Sequence, residues 1–201
     1  MTATRTLAGS HLPATNGSVQ EHGGQLGRYR LEPPTPDEAA RWDDLITAYD
    51  STQLFHQTAW LHYLAESRGV EIRRWAIRND DRTVGYFCGG FFKMGPFRIL
   101  GSPLKSWGTN YMGPLIDDQV SQESLISALD SLAHAERLAM LEIEHPILSP
   151  AVLQAAGFEP VSDWTYLVSL APDNPDAMWG RLESRSGRKR TTTPTLSMFL
   201  S

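Results

Sequence analysis

Hydrophobic residues recur at helical spacing in the first third of the ordered sequence. Residues 35–38 read Thr-Pro-Asp-Glu, a capping box with proline at the first helical position. Apolar side chains then follow three and four residues apart, which predicts a helix through Tyr49. A second helix is predicted over residues 58–67, because Gly69 follows as a stop. A short alternating strand at residues 28–32 precedes both helices.

The pattern then changes to strands. An antiparallel meander is predicted over residues 71–79, 83–94 and 97–100, and Gly89 and Gly90 indicate a bulge or a close backbone approach. The remaining predicted elements are a helix over 121–138, a strand over 139–144, a helix over 149–156, a strand over 165–170 and a helix over 174–185. The fold class is therefore α/β (α+β), a mixed sheet flanked by helices in a single domain.

The two ends of the chain lack such periodicity. Residues 1–27 are rich in Gly, Ser, Thr, Asn and Gln, so we expect a disordered N-terminal tail. Residues 191–201 show neither a helical nor a strand period, and we expect an unstructured C-terminal tail at which the protein is truncated. The domain itself is predicted to span residues 28–190.

Composition narrows the possible functions. The 201-residue chain is 41% hydrophobic and 20% charged, as globular domains are. Its net charge of -5 supplies no general field for binding nucleic acid. Cys88 is the one cysteine, which favours a reducing compartment. No apolar run is long enough to span a bilayer and no signal peptide is visible, so we expect a cytoplasmic protein without a membrane span.

The predicted order of elements resembles the GNAT N-acyltransferase fold. Particular residues narrow this resemblance to FemAB-type proteins, which contain two GNAT domains in tandem. The most specific feature is the aromatic-Gln-x-x-Trp start of the second helix, at residues 55–60. The other features are Trp42, Gly113-Pro114-Leu115-Ile116, Ala156-Gly157-Phe158, Leu182-Glu183-Ser184-Arg185 and Arg188-Lys189-Arg190.

The resemblance implies acyl or aminoacyl transfer to an amine of a cell-envelope or polysaccharide-linked substrate. Such a transfer needs positioning of the amine, polarisation of the acyl carbonyl and removal of a proton. This chain corresponds to the substrate-side first half, so it would lack the second GNAT domain and be inactive alone. Two alternatives stay open, a free-standing GNAT N-acetyltransferase and a non-catalytic binding module or truncated product.

The resemblance also bears on cofactors. The family's donors are acyl-CoA or aminoacyl-tRNA, and a GNAT domain that uses acyl-CoA holds the pyrophosphate on a Gly-rich turn before a helix. The corresponding turn here, residues 117–121, has no glycine and contains Asp117 and Asp118. Because these carboxylates would repel a pyrophosphate, we expect this chain to bind no cofactor.

Substrate binding is predicted in the stretch of residues 101–114. It mixes polar and aromatic residues with three glycines and two prolines, a composition typical of a shaped binding loop. The substrate-binding candidates are Lys105, Trp107, Asn110, Tyr111 and, on the second helix, Trp60. The alternative is a surface loop in which Trp107 and Tyr111 are merely packed.

The expected substrate is a small-molecule or a glycan- or peptide-linked amine. Peptidoglycan-directed members of the family carry a lysine on the second helix, a few residues after the tryptophan. This chain has His62, Tyr63 and Leu64 there, which favours the broader acyltransferase branch.

The remaining polar residues give weaker indications. The histidines have no ligand spacing with Cys88, so no metal site is predicted. His145, Glu142 and Glu144 form either a general base near neutral pH or a solvated strand end.

A basic run near the C-terminus is a candidate anion site. Residues 181–190 hold five cations and one acid, and Arg185, Arg188 and Arg190 are the anion contacts that we predict. A weak contact with RNA is a further hypothesis for this run. The alternative is cations that complement a helix C-terminus and a solvated tail.

Overall fold

The computed structural model describes residues 2–5, 29–145, 148–166 and 192–200. Nine strands in these ranges form one sheet. They are β1 Thr2–Arg5, β2 Tyr29–Glu32, β3 Glu71–Asn79, β4 Arg82–Met94, β5 Phe97–Ser102, β6 Leu115–Ile116, β7 Met140–His145, β8 Glu159–Tyr166 and β9 Thr192–Leu200. The helices are α1 Pro36–Ala40, α2 Trp42–Ile46, α3 Thr58–Arg68, α4 Gln122–Ala135 and α5 Pro150–Ala155, with short 3-10 turns at Leu54–His56 and Lys105–Trp107.

The sheet is mixed. Its strand order is β1-β8-β9-β7-β5-β4-β3-β2, and β6 pairs with β4. Strands β3 to β5 form the predicted antiparallel meander, and β2 pairs antiparallel with β3. Strands β5 and β7 are parallel neighbours, and the chain between them crosses over through α4. The predicted fold class, a mixed sheet flanked by helices, is confirmed.

Each face of the sheet has its own hydrophobic core. We call the side covered by α4 and α5 the back face and the side covered by α1 to α3 the front face. Alternation along the strands divides the residues between them, so Leu141 and Ile143 of β7 face back. The largest fully buried side chains of the back face are Phe87, Ile77, Leu100, Leu125, Ile126 and Leu129. Those of the front face are Trp42, Ile46, Leu61, Leu64, Met112 and Leu115.

The first predicted helix is divided in two. Its capping box is present, since Glu38 N–H donates to Thr35 Oγ1 (3.2 Å) and Thr35 N–H donates to Glu38 Oε2 (2.8 Å). The helix breaks at Arg41, where φ is -103° and ψ is 16°. The break lets Trp42 turn into the front core, where its indole N–H donates to His56 O (2.8 Å). The second helix ends, as predicted, at Gly69 with a φ of 63°.

The C-terminal part differs from the expected pattern. Strand β8 occupies Glu159–Tyr166, earlier than the predicted 165–170. Residues Thr192–Leu200, expected to be unstructured, form β9 and pair with both β7 and β8. This run contains threonines and large apolar residues with high β-propensity, and two strands offer it unpaired edges. Within residues 1–27, expected to be disordered, Thr2–Arg5 forms β1.

Two further observations concern the helices. The predicted helix over residues 174–185 lies outside the described residues. Among the helices that the structure does describe, none is both long and apolar enough to cross a membrane.

Candidate functional site

The candidate site lies where the parallel strands β5 and β7 end. In open α/β sheets, ligands bind in the crevice outside the carboxyl ends of the strands. After Ser102 the chain leaves the sheet and returns at β6. We call residues 103–114, which cover this end of the front face, the front loop.

Two glycines allow the front loop to lie directly on the sheet. A Cβ on Gly101 would stand 2.3 Å from Leu104 Cγ, and one on Gly113 would stand 2.7 Å from His145 Cδ2. Larger residues at either position would push the loop away. Ser102 adds a polar anchor, since its buried Oγ lies 2.6 Å from both Cys88 O and Met112 O.

Two buried histidines hold consecutive carbonyls of this region. His56 Nε2 lies 3.1 Å from Gly113 O, and His145 Nε2 lies 2.9 Å from Pro114 O. Because a carbonyl only accepts, each ring carries its proton on Nε2. The free Nδ1 of His56 then accepts the Gln53 N–H (3.1 Å).

Both histidines are neutral at neutral pH. Burial lowers the pKa of His56, although its hydrogen bonds to Gly113 and Gln53 act in the opposite direction. Burial lowers the pKa of His145 to about 4, and the neighbouring His56 adds to that effect. The rings therefore act as fixed hydrogen-bond donors to the loop.

Glu142 is the carboxylate of this site. It lies on β7 opposite Gly101, and its Oε1 accepts the Lys105 N–H (2.9 Å) at the start of a 3-10 turn. Burial raises the pKa of Glu142 to about 7, which Glu144 reinforces and Lys105 opposes. Glu142 and His145 are 4% and 2% exposed, so a solvated strand end, one of the two sequence interpretations, is wrong for both.

The predicted substrate-binding residues of the loop are placed differently from one another. Lys105 and Asn110 are exposed, and Tyr111 is half-buried with a φ of 55°, unusual for a residue other than glycine. Trp107, predicted to contact substrate, is 5% exposed. Its ring packs against Gly90, since a Cβ on that glycine would stand only 2.6 Å from Trp107 Cη2. This position agrees with the alternative interpretation, in which Trp107 is packed against the domain.

Trp60 joins the second helix to the loop. Its indole N–H donates to the buried Thr109 Oγ1 (3.2 Å). Its ring lies between those of Phe55 and Tyr63, at centroid distances of 5.1 and 5.0 Å. The structure thus brings Trp60 against Thr109 of the front loop.

At the turn over residues 117–121, two backbone amides and the Asp117 carboxylate make contacts within the chain. Asp117 N–H donates to Val84 O (3.0 Å), and the Asp117 carboxylate pairs with Arg82 (3.0 Å). Val120 N–H donates to Asp117 O (3.0 Å), so a second amide of the turn is also engaged. The acidic residue in the first turn of α4 is Glu123, whereas Asp117 binds a strand residue instead.

Arg185, Arg188 and Arg190 lie outside the described residues. The described part of the chain holds no cluster of three or more histidine, cysteine or acidic side chains suited to a metal ion. A groove of about 590 Å³ runs between β2 and the serine-rich side of α4, and none of its lining residues belongs to the front loop.

Glu142, Ser102 and the histidine pair are the residues of the candidate site that the sequence indicates least. Their burial results from the loop that folds over them. The sequence carries a partial signal, since Glu142, Glu144 and His145 are clustered in it and Gly113 belongs to one of the features that resemble FemAB-type proteins.

Comparisons with known proteins give structural similarities only. No family model matches the chain, and no curated protein matches it. The crystal structure of FemX shares 20% identity and a TM-score of 0.47, with 72% of this chain and 35% of the FemX chain covered. This chain therefore spans about a third of the length of that protein.

Two acetyltransferase structures are also similar. One, from Bacillus subtilis and in complex with CoA, has 14% identity and a TM-score of 0.39, covering 87% of this chain and 97% of its own. The other, from Agrobacterium tumefaciens str. C58, has 12% identity and a TM-score of 0.37, covering 94% and 100%.

Proposed function

We propose that this chain is the substrate-side first half of a FemAB-type N-acyltransferase. In this proposal, an acyl or aminoacyl group passes to an amine of a cell-envelope or polysaccharide-linked substrate. The front loop receives that amine, and a second GNAT domain supplies the donor site.

The observation that best supports the proposal is the front loop, which buried polar groups hold in place at the carboxyl ends of β5 and β7. Buried polar groups fix the loop from below, and Lys105 and Asn110 project from it to solvent. Transfer to an amine depends mainly on holding the nucleophile in one orientation, which a loop supported in this way can do. Trp60 and Tyr63 add aromatic surface beside it.

In this proposal, the acyl donor binds to the second GNAT domain and not to this chain. Two engaged amides and the Asp117 carboxylate at residues 117–121 support the expectation that this turn does not hold the pyrophosphate of acyl-CoA. We therefore expect the chain alone to bind acetyl-CoA no better than about millimolar, near -4 kcal/mol.

Calorimetric titration of the chain tests the proposal. The acceptor probes are a lysine-containing muropeptide and a deacetylated chitin oligosaccharide, and the donor probe is acetyl-CoA. At least one acceptor should bind, and Asn110→Ala should weaken binding about tenfold through loss of a polar contact. Lys93→Ala, at an exposed position of the β4–β5 hairpin, is the matched control and should change nothing.

Each alternative has its own outcome. Micromolar binding of acetyl-CoA that is lost on changing residues 117–121 would favour the free-standing N-acetyltransferase. Failure of both acceptors to bind would contradict the proposed substrate classes and favour a non-catalytic module.

A further inference from the structure

We propose that Glu142 is the group that receives the substrate amine at the front loop and takes its proton. This inference rests on the function proposed above and assigns the proton acceptor that acyl transfer requires.

The position of Glu142 is the first argument. The residue stands on β7 beside Gly101 of β5, at the carboxyl ends of the two parallel strands. Gly101 carries no side chain. Glu142 and Leu104 of the loop therefore occupy the space beside it on the front face. Exposed Lys105 marks where this row reaches the surface.

The two carboxylate oxygens of Glu142 are in different environments. Oε1 accepts the Lys105 N–H (2.9 Å). Oε2 receives no hydrogen bond from the described residues. Among those residues, every fully buried side-chain oxygen or nitrogen has a hydrogen-bond partner, so an oxygen without one is not fully buried. Oε2 therefore touches solvent, although the residue as a whole is 4% exposed. One oxygen is fixed and the other is available to a ligand.

The electrostatic environment suits a proton acceptor at neutral pH. The pKa of Glu142 is raised to about 7, mainly by burial and also by Glu144 on the same strand, against the opposing effect of Lys105 of the loop. A general base is most effective when its pKa lies near the working pH. The neighbouring histidines are neutral and donate to carbonyls, so they do not compete for the proton.

The proton transfer balances without another reactant. An ammonium group gives one proton to Glu142 Oε2 and becomes a neutral amine with a free electron pair. That pair forms the N–C bond to the acyl carbonyl carbon, and the bond from this carbon to the leaving group breaks. The second amine proton leaves with the departing group.

A purely structural role for Glu142 is the competing explanation, because Oε1 also caps the 3-10 turn at Lys105–Trp107. Glu142→Gln separates the two roles. Its amide oxygen can still accept the Lys105 N–H, but the side chain can no longer take a proton or carry charge. Glu144→Gln is the matched control on the same strand.

The experiment compares each acceptor probe with its N-acetylated form by calorimetric titration. The free amine should bind about tenfold more tightly than the acetylated probe, and E142Q should remove this preference while E144Q keeps it within about twofold. For the lysine probe, which stays cationic, affinity should rise about tenfold between pH 6 and 8 in the wild-type chain and stay flat in E142Q.

The outcomes distinguish this inference from the proposed function. If the probes bind but E142Q keeps the preference for the free amine, the assignment of Glu142 is wrong and the acceptor site remains. If neither probe binds, the proposed substrates fail, and carbodiimide coupling of methylamine at pH 7 decides on Glu142. Mass spectrometry should then find Glu142 modified, and its absence from the modified carboxyls would overturn the inference.

Discussion

The two faces of the sheet are built in different ways. The back face, under α4 and α5, is a continuous layer of aliphatic and aromatic side chains. At the carboxyl ends of β5 and β7, by contrast, buried polar groups lie beside the front loop. These groups are His56, Ser102, Thr109, Glu142 and His145.

This difference separates stability from function. Burying a polar group costs free energy unless a hydrogen bond compensates, and even then the net gain is about 1 kcal/mol. An apolar front layer would hold the loop at less cost. Buried polar groups instead fix individual carbonyls and leave a carboxylate oxygen facing solvent, which is useful when the loop must present a defined surface.

The largest effect should come from the back face. Leu129→Ala removes a fully buried side chain from the middle of α4, and we expect the free energy of unfolding to fall by about 3 kcal/mol. Urea denaturation measures this loss, with exposed Ser131→Ala as control. Binding of acceptor probes should be unchanged in both variants. A loss of binding in Leu129→Ala at temperatures where it stays folded would break the separation of the two faces.

The pH dependence of stability should reveal two opposing groups beside the front loop, His145 and Glu142. The folded-state pKa of His145 is about 4, below the unfolded value of 6.5, so its contribution is present above pH 6.5 and is lost as pH falls toward 4. The folded-state pKa of Glu142 is about 7, above the unfolded value of 4.5, so its contribution is present below pH 4.5 and is lost as pH rises toward 7. Each amounts to about 3 kcal/mol at most.

Between pH 4.5 and 6.5 the two trends oppose each other, and the lowered pKa of His56 acts in the same direction as that of His145. In denaturation experiments, the stability of E142Q should therefore rise as pH rises through this window. The stability of His145→Gln should fall as pH rises. Parallel curves for both variants and the wild type would mean that neither group has a perturbed pKa.

A smaller effect is expected at Gly113. A Cβ there would approach His145 Cδ2 to 2.7 Å and Glu144 O to 2.9 Å, so Gly113→Ala must displace the loop or β7. We expect a loss of about 2 kcal/mol together with weaker acceptor binding. Gly69→Ala, in open space with a φ of 63°, should cost about 1 kcal/mol and leave binding intact. Equal binding by the two variants would argue against a role for loop position.

The smallest effect should be at the Asp117 turn. The Arg82–Asp117 pair is mostly exposed on the arginine side, so Asp117→Asn should change stability by less than about 1 kcal/mol. Removing this one charge should not create acetyl-CoA binding, because the amides of Asp117 and Val120 remain engaged. Micromolar binding in this variant would show that the carboxylate alone had excluded the cofactor.

Local signals in the sequence were sufficient for most of the fold. Gly69 and Ser121 are chemically specific helix boundaries, and both function as predicted. Gly89 and Gly90 were expected to allow close backbone approach, and a Cβ on either would stand within 3 Å of neighbouring atoms. Alternation of apolar residues gave the meander because each strand pairs with the next along the chain.

The site was harder to predict because it depends on contacts distant in sequence. Trp107 is buried only because Gly90 leaves room for it on another strand. Glu142 and His145 look like a solvated strand end until the front loop covers them. The break at Arg41 likewise follows from the burial of Trp42 and not from any local helix breaker.

The most direct test of the front face as an amine site is a carbon NMR titration of the Glu142 carboxyl, with and without the lysine-containing muropeptide. We predict a pKa near 7 in the free chain, the position that burial gives it. We also predict a lower pKa with the probe bound, because a nearby ammonium favours the ionised carboxylate. A carboxyl that titrates near its ordinary value of 4.5 and does not respond to a probe that binds elsewhere would contradict the account.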